Sequence, residues 1–145
     1  MKRLHVHLKV SDLEQSMKFY AALFGRAPDK LEGDYAKWML DDPHANVSLS
    51  THGGAPGVDH VGVQVETDEA LSEIADRLRE DGHALTEEKA TTCCYAQSNK
   101  YWAKGPEGGL WELFHSFGES QLYGAEPERP APETGATDAR CGVDC

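Results

Sequence analysis

Residues 5–10 read HVHLKV and residues 60–65 read HVGVQV, and the fold turns on how this pair is read. In the first stretch Leu4, Val6, Leu8 and Val10 alternate with His5, His7 and Lys9; in the second Val61, Val63 and Val65 alternate with His60, Gly62 and Gln64. Period-two alternation marks a strand with one apolar and one polar face. Each stretch is followed by an acidic start and a helical pattern. The 55-residue offset between His5 and His60 therefore predicts a duplicated unit.

The pattern extends outward from both strands. Ser11 or Asp12 is placed to cap a helix through about Leu23, with Leu13, Met17, Tyr20 and Leu23 at helical spacing and Gly25 as its stop. YAKWML (35–40) and NVSLST (46–51) predict strands joined by the turn DDPHA, and HGGAPG (52–57) links the halves. In the second half residues 68–81 predict a helix with Leu71, Ile74, Ala75 and Leu78 on one face and Gly82 after it. Strands are predicted around 91–97, 100–104 and 110–115. The reading is α+β, with paired βαβββ modules: module one about 1–55, module two about 56–123. From residue 124 to 145, a stretch opening GAEPERPAPETGATDAR has the composition of a disordered tail, which carries Cys141 and Cys145.

At 145 residues the chain is long enough for a core without disulfide staples. Its formal charge of −11 argues against nucleic acid or an anionic membrane as partner. No stretch approaches the ~20 apolar residues of a membrane span. MKRLHVHLKV enters a strand pattern directly and has no apolar signal-peptide region, so a cytoplasmic location is expected, where thiols stay reduced. There the pairs Cys93/Cys94 and Cys141/Cys145 read as metal, metalloid or redox ligands rather than as structural disulfides.

His5 and His60 occupy equivalent places on the polar faces of the two strands and are predicted to meet on one concave surface. His7 shares the face of His5, but its counterpart is Gly62, which gives it an outer or channel role. In GGLWELFHS, Glu112 falls on one face with Leu110 and Phe114, where an unpaired carboxylate would cost several kcal/mol. Either a buried Lys or Arg partner or a metal would relieve that cost, and the two facing histidines favour the metal. Two histidines and a carboxylate suit zinc, nickel or iron alike. The strand NVSLST offers only Ser48, Ser50 and Thr51 as a fourth donor, with Asn46 and His52 beside it. Open coordination positions fit a non-haem Fe(II) centre that binds dioxygen, or a Lewis-acid site with bound waters. Cys93 and Cys94 point to opposite faces of any regular strand, so both can serve one ligand only where the strand ends or bulges.

HVHLKVSDLEQSMKFYAALFG (5–25), DHVGVQVE and GGLWELF resemble the vicinal-oxygen-chelate superfamily of glyoxalase I, extradiol dioxygenases and fosfomycin- and bleomycin-resistance proteins, over roughly residues 4–115. TTCCYAQSNKYWAKGPEGGLWELF (91–114) is similar to the carbon–arsenic lyases and the cadmium-induced proteins grouped with them. The resemblance implies paired βαβββ modules and Fe(II) at His5, His60 and Glu112, a site that Ni, Co, Mn or Zn can also occupy. It implies a trivalent organoarsenical held by Cys93 and Cys94, with dioxygen-dependent cleavage to arsenite. Some members of the family place glutamine at the position of His5. Lys100 resembles a lysine of the same family, although an exposed strand lysine is its ordinary reading. Tyr95, Tyr101 and Trp102 are candidates to line a pocket for an aryl group, or are core. Members of the superfamily close their sites within one chain or by exchange between two, so a homodimer is a further expectation. Two other functions compete: a thiol-based cadmium- or arsenic-binding protein without turnover, and a glyoxalase-like isomerase or thiol transferase.

Overall fold

The computed structural model of the chain describes residues 1–119 and 124; the remainder of the expected tail, with Cys141 and Cys145, lies outside the described residues. The first half runs β1 (Arg3–Lys9), α1 (Leu13–Phe24), β2 (Lys30–Glu32), β3 (Tyr35–Asp41) and β4 (His44–Ser50). The second runs β5 (Gly57–Val65), α2 (Asp68–Glu80), β6 (Leu85–Cys93), β7 (Ala96–Lys104) and β8 (Leu110–Glu119). Each half is thus β-α-β-β-β. The short strand β2 and most of β6 were not expected from the sequence, and β5 begins inside the expected linker. The strand expected at 91–97 is the tip of a hairpin: β6 ends at Cys93 and β7 starts at Ala96.

The helix boundaries follow local chemistry. Asp12 accepts a hydrogen bond from the Gln15 amide at 3.0 Å to cap α1, and Gly25 closes it with φ 71°. Thr67 caps α2 through the Ala70 amide at 3.1 Å; Asp68 and Glu69 open that helix and Arg77 and Arg79 close it, complementing its dipole.

All eight strands form one mixed sheet in the order β2-β3-β4-β1-β5-β8-β7-β6. The two histidine strands are neighbours at its centre: β1 pairs antiparallel with β5, and each pairs in parallel with the last strand of its own half. The helices cover one side. Met17, Tyr20 and Phe24 of α1 pack on Trp38, Val47 and Leu49, and Leu71 and Ile74 of α2 pack on Val65 and Leu113. The other side of the curled sheet is concave, and it buries the polar face of β1 more deeply than the apolar one: His7 is 2% exposed, Leu4 50%. Among the described residues no helix is long and apolar enough to cross a membrane.

Candidate metal and thiol site

His5, His60 and Glu112 converge within one chain. His5 Nε2 lies 3.2 Å from His60 Nε2 and 3.4 Å from Glu112 Oε2, and His60 Nε2 is 3.0 Å from the same oxygen. Among the described residues this is the group of three or more His, Cys, Asp or Glu side chains close enough to hold a metal ion. Donors of this kind bind a divalent ion at about 2.1 Å, and right-angled to tetrahedral placement then separates them by about 3.0–3.4 Å. The observed triangle has those edges.

The outer ring nitrogens are engaged so as to turn Nε2 of both histidines inward. The Asn46 carbonyl accepts from His5 Nδ1 at 3.1 Å, and Asp59 accepts from His60 Nδ1 at 2.7 Å. Asp59 was not foreseen, because neighbours in a strand point to opposite faces. The β1–β5 ladder pairs His7 with His60 and Leu8 with Val58, so Asp59 sits in a bulge that brings its carboxylate round to the His60 ring.

Burial drives the His5 pKa down to about 4, against the pull of Glu112, so its Nε2 lone pair is free at neutral pH. Burial also acts to lower His60, but its bonds to Asp59 and Glu112 outweigh that and raise it to about 9. Burial acts to raise Glu112, yet Lys100 first and then His60 hold it well below the usual carboxylate range.

Lys100 is 3% exposed, not the exposed strand lysine of the ordinary reading, and its Nζ donates to Glu112 Oε1 at 2.6 Å. Burial opposes its charge, but Glu112 and then the two cysteines raise its pKa. Glu112 thus meets the lysine alternative with one oxygen and turns the other to the histidines.

His7 lies outside the triad. Its ring nitrogens meet the hydroxyls of Ser48 and Ser50 at 2.7 and 2.8 Å, its ring stacks on His60 at 5.1 Å, and burial lowers its pKa to about 3. Pairing of His7 with Ser48 matches pairing of Gly62 with Glu112, so Ser48 is the counterpart of Glu112 and no carboxylate stands there.

Cys93 and Cys94 are not joined as a disulfide: their sulfurs lie 3.2 Å apart, far beyond the ~2.05 Å of such a bond. The strand ends there, as their shared use requires. Cys93 pairs across the hairpin with Ala96, and the two residues between, Cys94 and Tyr95, have φ 54° and 62°. Two left-handed residues make a turn of the kind that usually takes Asn-Gly; bulkier residues there cost about 1–3 kcal/mol each. A hydrogen bond with Cys94, then opposing burial, then the charge of Lys100 leave the Cys93 thiol below the usual pKa. Both cysteines line one cavity of about 80 Å³ with the triad, Lys100 and Trp102. Tyr101 is not brought there: it faces α2, with Arg79 over its ring and its hydroxyl donating to Glu87 at 3.1 Å.

A duplicated βαβββ sheet whose concave side brings two histidines and a glutamate close enough to hold a metal ion defines the class. Residues 2–113 match the Glyoxalase/Bleomycin resistance protein/Dioxygenase superfamily, and the chain belongs to it. It is 42% identical over 119 residues to a trivalent organoarsenical cleaving enzyme of Bacillus sp. (strain MD1), covering 80% of this chain and 74% of that one. It is 32% identical over 142 residues to the cadmium-induced protein CadI of Mycobacterium tuberculosis (strain ATCC 25618 / H37Rv), covering 97% and 93%. The fold matches homoprotocatechuate 2,3-dioxygenase from Brevibacterium fuscum with TM-score 0.62 at 18% identity, over 85% of this chain and 34% of that one.

Proposed function

We propose that the protein is a carbon–arsenic lyase that cleaves trivalent organoarsenicals to inorganic arsenite with Fe(II) and dioxygen, detoxifying them in a reducing compartment. The observation that carries this reading is that two adjacent thiols and a two-histidine, one-carboxylate set line the same small cavity. The names of the relatives support the substrate class.

His5, His60 and Glu112 would hold Fe(II), which when bound supplies the activation of dioxygen. Cys93 and Cys94 replace the two hydroxyls of an arsenical R–As(OH)2, forming two As–S bonds and releasing two waters, so the organic group stays free. A soft arsenic centre suits soft thiolate ligands, and Lys100 favours the thiolate of Cys93. Capture turns a bimolecular encounter into an oriented one. Lys100 also holds Glu112 ionised, with one oxygen turned to the histidines. For methylarsenite the balance closes with one dioxygen: CH3As(OH)2 and O2 become As(OH)3 and formaldehyde.

The test is anaerobic loading with Fe(II), addition of a trivalent methylarsenical, then admission of oxygen with assay of arsenite. Arsenite should form only after oxygen enters, and Glu112→Ala and Cys94→Ser should each abolish it. Stoichiometric arsenical binding with no arsenite released would instead establish a sequestering protein. Turnover that persists without oxygen would point to the isomerase or transferase chemistry of glyoxalases.

A further inference from the structure

We propose that Tyr95 and Asp34 are positioning residues for the thiol pair, tying the Cys94–Tyr95 turn to the first half of the molecule so that both sulfurs face the triad together. This rests on the reading of Cys93 and Cys94 as the ligands of arsenic. The turn is the tip of the β6–β7 hairpin, and β6 is one edge of the sheet; β2, at the other edge, forms a hairpin with β3. The curl of the sheet brings the two edge hairpins into contact. The Tyr95 hydroxyl donates to Asp34 Oδ1 in the turn between β2 and β3. The Tyr95 ring lies 5.6 Å from that of Tyr35, and Lys30 Nζ stands 5.3 Å from its centre.

The tie continues inward. Asp34 Oδ2 is bonded to His52 Nε2, and the His52 carbonyl accepts from Lys9 Nζ at the end of the strand that carries His5. A line of polar contacts therefore runs from the thiol turn to β1. Chelation by two thiols depends on presenting both at once, and a turn free to swing would offer them singly. Fixing the residue next to Cys94 removes that freedom before the ligand arrives.

Tyr95→Phe and Asp34→Ala each remove the phenol–carboxylate bond, one by deleting its donor and the other its acceptor, and leave the thiols and triad in place. Dibromobimane, which must alkylate two neighbouring thiols to bridge them, is compared with monobromobimane, which needs one. The ratio of bridging to single alkylation should fall about tenfold in each variant, and the double variant should be no lower than either alone. Co(II) affinity at the triad should stay within about twofold of the parent. A ratio unchanged in either variant, additive losses in the double variant, or a parallel loss of Co(II) affinity would each overturn the proposal. Quenching of tryptophan fluorescence by phenylarsine oxide in the unaltered protein judges the arsenic reading separately. Failure to bind would defeat that reading, while the bimane ratio would still decide whether the turn is held.

Discussion

Glu112 gathers the chemistry of the site at the scale of one residue. A carboxylate buried to this depth is tolerated because Lys100 neutralises one oxygen and the two histidines approach the other. The same lysine reaches Cys93 electrostatically, so a single ammonium holds Glu112 ionised and adds to the lowering of the Cys93 thiol. The sign of its effect is testable. Cys93 is depressed below an ordinary thiol, so its alkylation should reach half its maximal rate at a lower pH than a free cysteine. Losing the positive charge removes one source of that depression. In Lys100→Met the midpoint of the alkylation profile should therefore rise, and a midpoint that stays put would remove lysine from the account. Here sequence and structure part: Lys100 reads as one more charged residue of an alternating strand. Its burial depends on β8 presenting Glu112 opposite it.

Gly62 decides how closely two elements approach. It is the counterpart of His7, but a Cβ built there would lie 2.3 Å from the Glu112 carbonyl oxygen. The first half has room for a histidine where the second needs bare backbone, because β5 and β8 run close enough to bring Glu112 beside His60. Gly62→Ala should lower stability by about 1–3 kcal/mol, as overpacking does, and weaken divalent-metal binding with it. Thermal unfolding and a competition assay with a chromogenic chelator would measure the two effects; an unchanged melting temperature would contradict the close packing. The alternation of β1 and β5 and the periodicity of both helices were legible in local pattern. The bulge at Asp59 and the left-handed turn at Cys94–Tyr95 were not: VDHV breaks the alternation but reads as the end of a linker, and CCYA lacks the glycine or asparagine that announces such a turn.

At the scale of the whole molecule, the site belongs to neither half alone. His5 comes from the first and His60 and Glu112 from the second, and the β1–β5 ladder joins them across the middle of the sheet. The connection through residues 53–56 is exposed and contributes no strand. A protease cut there should leave two fragments that elute together and still bind Co(II), since the ladder and not the covalent link holds the donors in place. Fragments that separate on size exclusion would show that the link is needed.

The sequence by itself determined the duplicated strand–helix–strand plan, the faces of the two central strands, and the candidate donors: two histidines, one glutamate and two thiols. Those features are carried by spacing along the chain, and spacing is local. Only the tertiary structure decided that Asp59 turns to the His60 ring, that Lys100 is buried against Glu112, and that Tyr101 faces a helix. It also decided that the two edge hairpins meet at Tyr95 and Asp34. Each of these depends on register between strands distant in sequence and on the curl of the sheet they build. Both are set by hydrogen-bonded ladders and packing across the whole molecule, which no single stretch of residues encodes.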